Sequence, residues 1–78
     1  MDKQTFELLD ILVTRPEMNT AALFGVWQER TSYDIRALEK LLKKLISGGV
    51  LRKVSDDGGY FYMVTPKGFR VYREAERN

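Results

Sequence analysis

Residues 31–66 read TSYDIRALEKLLKKLISGGVLRKVSDDGGYFYMVTP in one-letter code, and this stretch predicts a helix followed by a β-hairpin. Between residues 32 and 47 the apolar side chains recur at the three- and four-residue spacing of a helix. Two short runs at 50–54 and 60–64 are rich in β-branched and aromatic residues, which favour strands. Because residues 55–59 are typical of a turn, the two runs are predicted to pair as a hairpin.

The chain before this stretch predicts two further helices. The first spans about residues 3–15, where apolar side chains cover most of the helix circumference, and it stops at Pro16 because the residue before a proline resists the helical conformation. The second spans about residues 20–29, with Asn19-Thr20 as the candidate N-caps. Its Gly25 costs about 1 kcal/mol relative to alanine, and we expect it to allow close approach by a neighbouring helix.

The ends of the third helix carry their own signals. Thr31-Ser32 offers an N-cap, and Asp34 stands three residues after Thr31 in the outline of a capping box. We therefore predict this helix over about residues 32–47. Gly48-Gly49 supplies the left-handed exit that commonly follows a helix.

A final helix is predicted over about residues 66–76, with Thr65 as its N-cap and Pro66 in its first position. The order is therefore three helices, a hairpin and a last helix. A chain of 78 residues has room for one compact domain, here residues 1–78. The prediction is an α+β, mainly α, winged helix-turn-helix, with a three-helix core, a β-hairpin wing and a C-terminal helix.

The composition argues against several classes of protein. The chain has no cysteine and no histidine, which removes disulfides, thiolate chemistry, the usual general base and the usual zinc ligand. No side chain that could act as a nucleophile stands beside a base, so we expect a non-enzyme with no cofactor and no metal. No apolar run approaches the roughly 20 residues of a membrane span, and the first residues do not resemble a signal peptide. We expect a soluble, cytoplasmic protein with no membrane partner.

The charge is unevenly distributed along the chain. Residues 30–53 contain seven basic and two acidic side chains, a net charge of +5, whereas the remainder carries −3 of a total of +2. A basic middle within a mildly acidic chain is typical of nucleic-acid binding. A solvated helix face is the alternative explanation.

The third helix separates its charges from its apolar residues. At about 100° per residue, its leucines share one face, and Arg36, Lys40 and Lys44 form a stripe along the opposite face at i, i+4 and i+8. The same polar face holds Tyr33 and Lys43. A helix of this kind fits the DNA major groove, where arginine and lysine pair with guanine edges or with phosphates.

Two stretches resemble the winged-helix regulators of the MarR and PadR types. Residues 60–68, YFYMVTPKG, are similar to the wing exit of these proteins, in which an aromatic strand leads into a Thr-Pro-Lys-Gly turn. The resemblance covers about residues 19–72 and implies duplex DNA binding as a dimer and a role in transcription regulation. The pattern that closes the recognition helix and enters the wing is matched by Leu38, Leu42, Leu45, Gly49, Val50 and Leu51.

Carried over by position, the resemblance implies that Arg36, Ala37, Lys40 and Lys44 face the groove and that Arg52-Lys53 contacts the DNA backbone from the wing. At the start of the third helix, backbone N–H groups attract anions, so this region is expected near a phosphate. Tyr33 either faces the DNA or packs between the second and third helices. The predicted DNA-binding residues are Thr31, Ser32, Tyr33, Arg36, Ala37, Lys40, Lys43, Lys44, Arg52 and Lys53.

Two features depart from the family pattern. The predicted wing tip, residues 56–59, is acidic where DNA-contacting wings usually carry arginine or lysine. Its carboxylates would repel phosphates, although Asp-Asp-Gly-Gly is also simply good turn chemistry. The chain also lacks the long additional helices through which MarR-type proteins form dimers.

The leading prediction is a sequence-specific, duplex DNA-binding transcription regulator of prokaryotic or phage type, with the third helix in the major groove, acting as a homodimer. The low net charge and acidic wing tip motivate an alternative, a winged-helix module that binds a protein partner within a larger complex. A third hypothesis is binding of RNA or single strands through exposed tyrosines.

Overall fold

The computed structural model describes residues 1–16, 18–57 and 59–77. Its elements follow the predicted order, with four helices and one antiparallel hairpin of two strands. Except at the start of the third helix, the helix boundaries lie within one residue of the predicted ones. The elements are α1 (Lys3–Thr14), α2 (Thr20–Arg30), α3 (Ile35–Ser47), β1 (Leu51–Asp56), β2 (Gly59–Val64) and α4 (Pro66–Arg77).

Short polar side chains begin the first two helices. The Asp2 carboxylate accepts a hydrogen bond from the Thr5 N–H at 2.8 Å, and the Asn19 side chain accepts one from the Ala22 N–H at 2.8 Å. Each bond satisfies a backbone donor that has no partner within its helix. Of the two candidates for α2, Asn19 is therefore the N-cap.

The prediction that α3 begins at residue 32 is wrong, because Asp34 and not Thr31 or Ser32 caps it. Asp34 has extended backbone dihedrals, and its carboxylate accepts from the Ala37 N–H at 2.9 Å. The Thr31 hydroxyl instead donates to the Trp27 carbonyl oxygen at 2.8 Å and ends α2. The predicted capping box therefore does not form, and residues 31–34 are the turn between α2 and α3.

The C-terminus of α3 has the predicted left-handed exit, at the second glycine of the pair. Gly49 has φ +75°, a conformation that favours glycine. The Val50 N–H bonds to the Leu45 carbonyl at 2.9 Å and the Gly49 N–H to the Ile46 carbonyl at 3.1 Å, which is the Schellman pattern. Since Val50 and Leu45 are both in the core, the turn is also closed by apolar packing.

The hairpin is longer than predicted, and a residue from outside the hairpin pairs with β2. Its register places Leu51 opposite Val64, and both strands extend into the expected turn, β1 to Asp56 and β2 from Gly59. An isolated bridge pairs Asn19 with Phe61 on the second edge of β2. The start of α2 is thereby attached directly to the wing.

The core is formed by one face of each of the first three helices together with the base of the wing. Leu8 and Leu9 of α1 are fully buried, as is Trp27 of α2, whose indole N–H donates to the Asp34 carbonyl at 3.2 Å. The expectation that Gly25 admits a neighbouring helix is wrong, because a Cβ there would meet nothing within 4 Å. The buried apolar set is Leu8, Leu9, Ile11, Leu12, Met18, Leu23, Trp27, Leu38, Leu41, Leu42, Leu45, Val50, Leu51 and Tyr62.

Candidate nucleic-acid interface

The outer face of α3 presents the predicted row of cations. Arg36, Lys40 and Lys44 are all exposed, while the leucines on the other face of α3 are buried. Within the residues that the structure describes, the ion pairs join Arg30 to α1, and none involves this row. We call these three side chains the α3 stripe. Its positive charges are available to an anionic partner.

The α3 stripe forms one wall of an open cleft of about 420 Å³, whose base includes Ala37 and Leu41. The start of α1 lines the cleft with its N-cap Asp2 and with Gln4, and Asp34, the N-cap of α3, lines it as well. Hydrogen bonds from Thr5 lower the pKa of the Asp2 carboxyl below its ordinary value, and the nearby charge of Lys44 lowers it further. A carboxylate therefore stands across the cleft from the cations.

The three predicted residues before α3 differ in their surroundings. Ser32 is exposed in the turn between α2 and α3, whereas the Thr31 hydroxyl is engaged with Trp27. Tyr33 does not lie on the polar face of α3, because the helix begins two residues later at Ile35. Its half-buried ring lies 6.0 Å from the Trp27 ring. Of the two alternatives left open by the sequence, facing the DNA or packing between α2 and α3, the structure favours packing.

The two wing cations, Arg52 and Lys53, point to opposite faces of the hairpin. Lys53 is opposite Tyr62 in the register, and its ammonium lies 4.0 Å from the centre of the Tyr60 ring in a cation–π contact. Arg52 is instead opposite the exposed Met63. The alternation of side chains along a strand could have shown this separation from the sequence.

The Lys53 face of the wing is the one that packs on the core, because Leu51 and Tyr62 on that face are buried in the same cluster as the leucines of α3. Tyr62, on that face, is 8% exposed, and its burial raises the pKa of its phenol. The negative charge of Glu39 on α3 raises the same pKa further. The wing therefore flanks one edge of α3, and the α1 cleft flanks the other edge. At the predicted acidic tip, Asp57 is exposed, while Gly58 lies outside the described residues.

Arg30 was counted with the basic region in the sequence, but the structure pairs it elsewhere. Its guanidinium contacts the Asp10 carboxylate at 2.8 Å and the Glu7 carboxylate at 3.1 Å, both on α1. The Tyr72 hydroxyl of α4 donates to the same Asp10, and this bond raises the pKa of Tyr72 to about 12. The network connects three helices away from the cleft, and its residues, up to 62 positions apart in sequence, carry no local signal of the contact.

The described residues offer neither a metal-binding cluster nor a membrane-spanning helix. Across residues 1–16, 18–57 and 59–77, no group of three or more acidic side chains is arranged to hold a metal ion. In the same ranges, none of the helices has both the length and the apolarity required to cross a membrane.

The chain has the arrangement of a winged helix, with three helices, a two-stranded wing and a last helix, and the third helix exposes a basic face. A solved structure of F93 from STIV, a winged-helix DNA-binding protein, superposes on this chain with a TM-score of 0.83. The two sequences are 24% identical, and the match covers 99% of this chain and 87% of that one. No family model matches the chain, and no curated protein matches its sequence. The likeness to F93 confirms the predicted winged-helix fold.

Proposed function

We propose that this protein binds duplex DNA sequence-specifically through α3 and acts as a transcription regulator of prokaryotic or phage type, in the manner of the MarR and PadR regulators. The observation that carries the proposal is the α3 stripe, a row of exposed cations along a helix whose other face builds the core. Like charges at i, i+4 cost an isolated helix a few tenths of a kcal/mol per pair. A helix with only a structural role gains nothing that offsets this cost.

Each cation has a role that its position supports. Arg36 is in the first turn of α3, the part of a recognition helix that usually reaches base edges, and a guanidinium can bond to both O6 and N7 of guanine. Lys40 and Lys44 are compact charges suited to phosphates, as is the exposed Lys43. Ser32 precedes α3 in an exposed turn, where its hydroxyl could donate a hydrogen bond to a phosphate oxygen.

The likeness to F93 supports the same function, since that protein is described as DNA-binding and shares the fold. The proposed contact requires no catalytic group and no cofactor. It requires positive charge, an exposed helix and a wing, which are the features that the described residues present.

We also propose that the protein acts as a homodimer through the face shared by α1 and α4. Phe69 of α4 is 39% exposed, and Tyr72 is only half-buried although it stacks on Phe6 of α1 at 5.3 Å between ring centroids. A second copy would cover this remaining apolar surface. A two-fold dimer places its recognition helices about one turn of DNA apart, so its site would be a palindrome.

The test is binding to a random duplex library, followed by salt titration. Each phosphate contact contributes about −0.9 to the slope of log affinity against log salt concentration, so several contacts give a steep loss of binding. We expect a small subset of sequences to survive at higher salt. The absence of binding at low salt by a folded sample would contradict the proposal.

Two further measurements separate the alternative functions. Affinity purification that recovers a stoichiometric protein partner, with only non-specific DNA binding, would support a protein-interaction module. Competition by single strands as effective as by duplex would support recognition through Tyr60, which is 49% exposed.

A further inference from the structure

The first turn of α1 lies beside α3, but the DNA contacts proposed above include no residue of α1. Gln4 is half-buried and lines the cleft that faces the α3 stripe. Neither Gln4 nor Asp2 carries a sequence signal for DNA binding, since Asp2 is the N-cap and Gln4 a first-turn residue of a helix that packs into the core. Their position relative to α3 arises only from the packing of the domain.

The width of the major groove determines which part of the DNA would lie next to this cleft. The groove is about 12 Å wide, and a helix with its side chains is about 10–12 Å in diameter, so a helix that enters the groove fills it. The two sugar–phosphate backbones that border the groove must then pass along both edges of the helix. On α3, one edge faces the wing, whose Tyr62 is buried with the leucines of α3, and the other edge forms the α1 cleft.

We propose that the cleft between α1 and α3 receives one phosphodiester backbone of the bound duplex, with the Gln4 amide donating a hydrogen bond to a phosphate. This inference rests on the proposed function and adds a contact residue from outside the helix-turn-helix. Lys40 and Lys44 neutralise the same stretch of backbone from the opposite wall. The wing borders the other backbone through Lys53.

Asp2 acts in the opposite sense within the same cleft. Its carboxylate would repel a phosphate there, and hydrogen bonding from Thr5 lowers its pKa below the ordinary value. Asp2 therefore limits the affinity for DNA, and it does so while fulfilling a structural role as the N-cap of α1. Asparagine and serine cap helices about as well as aspartate, so the charge can be removed while the cap is kept.

Substitutions of Gln4 and Asp2 are predicted to change the affinity for DNA in opposite directions. Misfolding of the variants would weaken binding in both cases and so could not produce this pattern. Gln4→Ala removes one hydrogen bond to a charged acceptor and is expected to weaken DNA binding at least about tenfold. Asp2→Asn removes one repulsive charge and is expected to tighten binding about three- to tenfold. The Asp2→Asn salt slope is expected to become steeper by up to about 0.9, the equivalent of one phosphate contact.

The experiment measures fluorescence anisotropy of a labelled duplex at several salt concentrations. It compares the unaltered protein, Gln4→Ala, Asp2→Asn, Asp2→Ser and Arg36→Ala/Lys40→Ala. Glu29→Gln serves as the matched control for Asp2→Asn, because it neutralises an exposed carboxylate on α2 outside the cleft. Circular dichroism checks that every variant is folded. Asp2→Ser repeats the charge removal with a second capping residue.

The outcomes distinguish the inference from the function beneath it. If Arg36→Ala/Lys40→Ala weakens binding while Gln4→Ala, Asp2→Asn and Asp2→Ser bind like the unaltered protein, the cleft is outside the interface and the inference fails alone. If the unaltered protein does not bind duplex DNA, the function and the inference fail together. If Glu29→Gln tightens binding as much as Asp2→Asn, the effect is one of net charge and the cleft has no specific role.

Discussion

Gly68 of α4 lies so close to Val50 that an ideal Cβ on the glycine would stand 2.3 Å from the Val50 carbonyl oxygen. The same oxygen accepts a hydrogen bond from the Thr65 N–H at 3.1 Å. The ammonium of the preceding residue, Lys67, donates to the Gly48 carbonyl at 2.8 Å. The Thr-Pro-Lys-Gly turn thus attaches α4 to the junction between α3 and β1, and it sets the wing relative to α3.

Gly68→Ala is expected to destabilise the protein by about 1–3 kcal/mol, the usual cost of overpacking a filled site, because the added methyl group meets a backbone atom. Gly25→Ala is the matched control, since it makes the same change in α2 where nothing lies within 4 Å. It should stabilise the protein by about 0.5–1 kcal/mol through helix propensity. Urea denaturation of both variants measures the difference, and equal stabilities would contradict this account of the α4 attachment.

Arg36→Ala/Lys40→Ala is expected to reduce affinity for the selected duplex at least about tenfold, because a single good arginine contact to a base contributes about 1–3 kcal/mol. The salt slope should become shallower by about 1 to 2. The unfolding midpoint should stay close to that of the unaltered protein, since both side chains are exposed. Arg73→Ala/Arg77→Ala removes two exposed cations from α4 as the charge-matched control, and equal losses from both pairs would show that α3 has no special role.

The two wing cations are expected to contribute unequally. Lys53 lies on the face that packs on the core with the leucines of α3, whereas Arg52 lies on the opposite face, so Lys53→Ala should lower DNA affinity more than Arg52→Ala. The loss should be uniform across DNA sequences, because a phosphate contact does not read the bases. Anisotropy titrations with specific and random duplexes measure it. A larger loss for Arg52→Ala would mean that the duplex approaches the other face of the wing.

In Tyr72→Phe the free energy of unfolding is expected to fall less at alkaline pH than it does in the unaltered protein. The bond to Asp10 raises the pKa of Tyr72 to about 12, while an unfolded tyrosine ionises near pH 10. The unfolded state therefore releases this proton first, and the stabilisation present below about pH 10 is lost as the pH rises toward 12.

The measurement is the unfolding midpoint in urea between pH 8 and about pH 11, within the range where the two states differ in ionisation. The variant keeps the ring that stacks on Phe6, so only the hydroxyl is lost. Tyr60→Phe, on the wing, is the control and should decline with pH like the unaltered protein. A Tyr72→Phe profile parallel to that of the unaltered protein would rule out a contribution from this bond.

Phe69→Glu is expected to shift the proposed dimer to monomer while leaving the fold intact, because it places a charge on the partly exposed side of α4. Met63→Glu is a fair comparison, as Met63 is 44% exposed but lies on the wing. Sedimentation equilibrium of both variants reports their association. Association that is unaffected by Phe69→Glu would place any dimer contact elsewhere.

The elements of this fold were predictable because their signals act over a few residues. Apolar spacing identified α3, Gly49 its exit, and Thr65-Pro66 the start of α4, and each depends on local backbone geometry. The α3 stripe was predictable for the same reason, since residues four apart on a helix share a face. The start of α3 was missed because Thr31, Ser32 and Asp34 are all good N-caps, and only the bond from Thr31 to Trp27 distinguishes them.

The sequence by itself determined the order of the elements and the row of cations, through periodicity and capping that are complete within one element. Tertiary packing alone removed Arg30 from the basic surface, placed Asp2 and Gln4 across from the α3 stripe and brought Gly68 against Val50. These contacts join residues 18 to 42 positions apart in the sequence. The free energy that selects them comes from burying the shared core and not from any local preference.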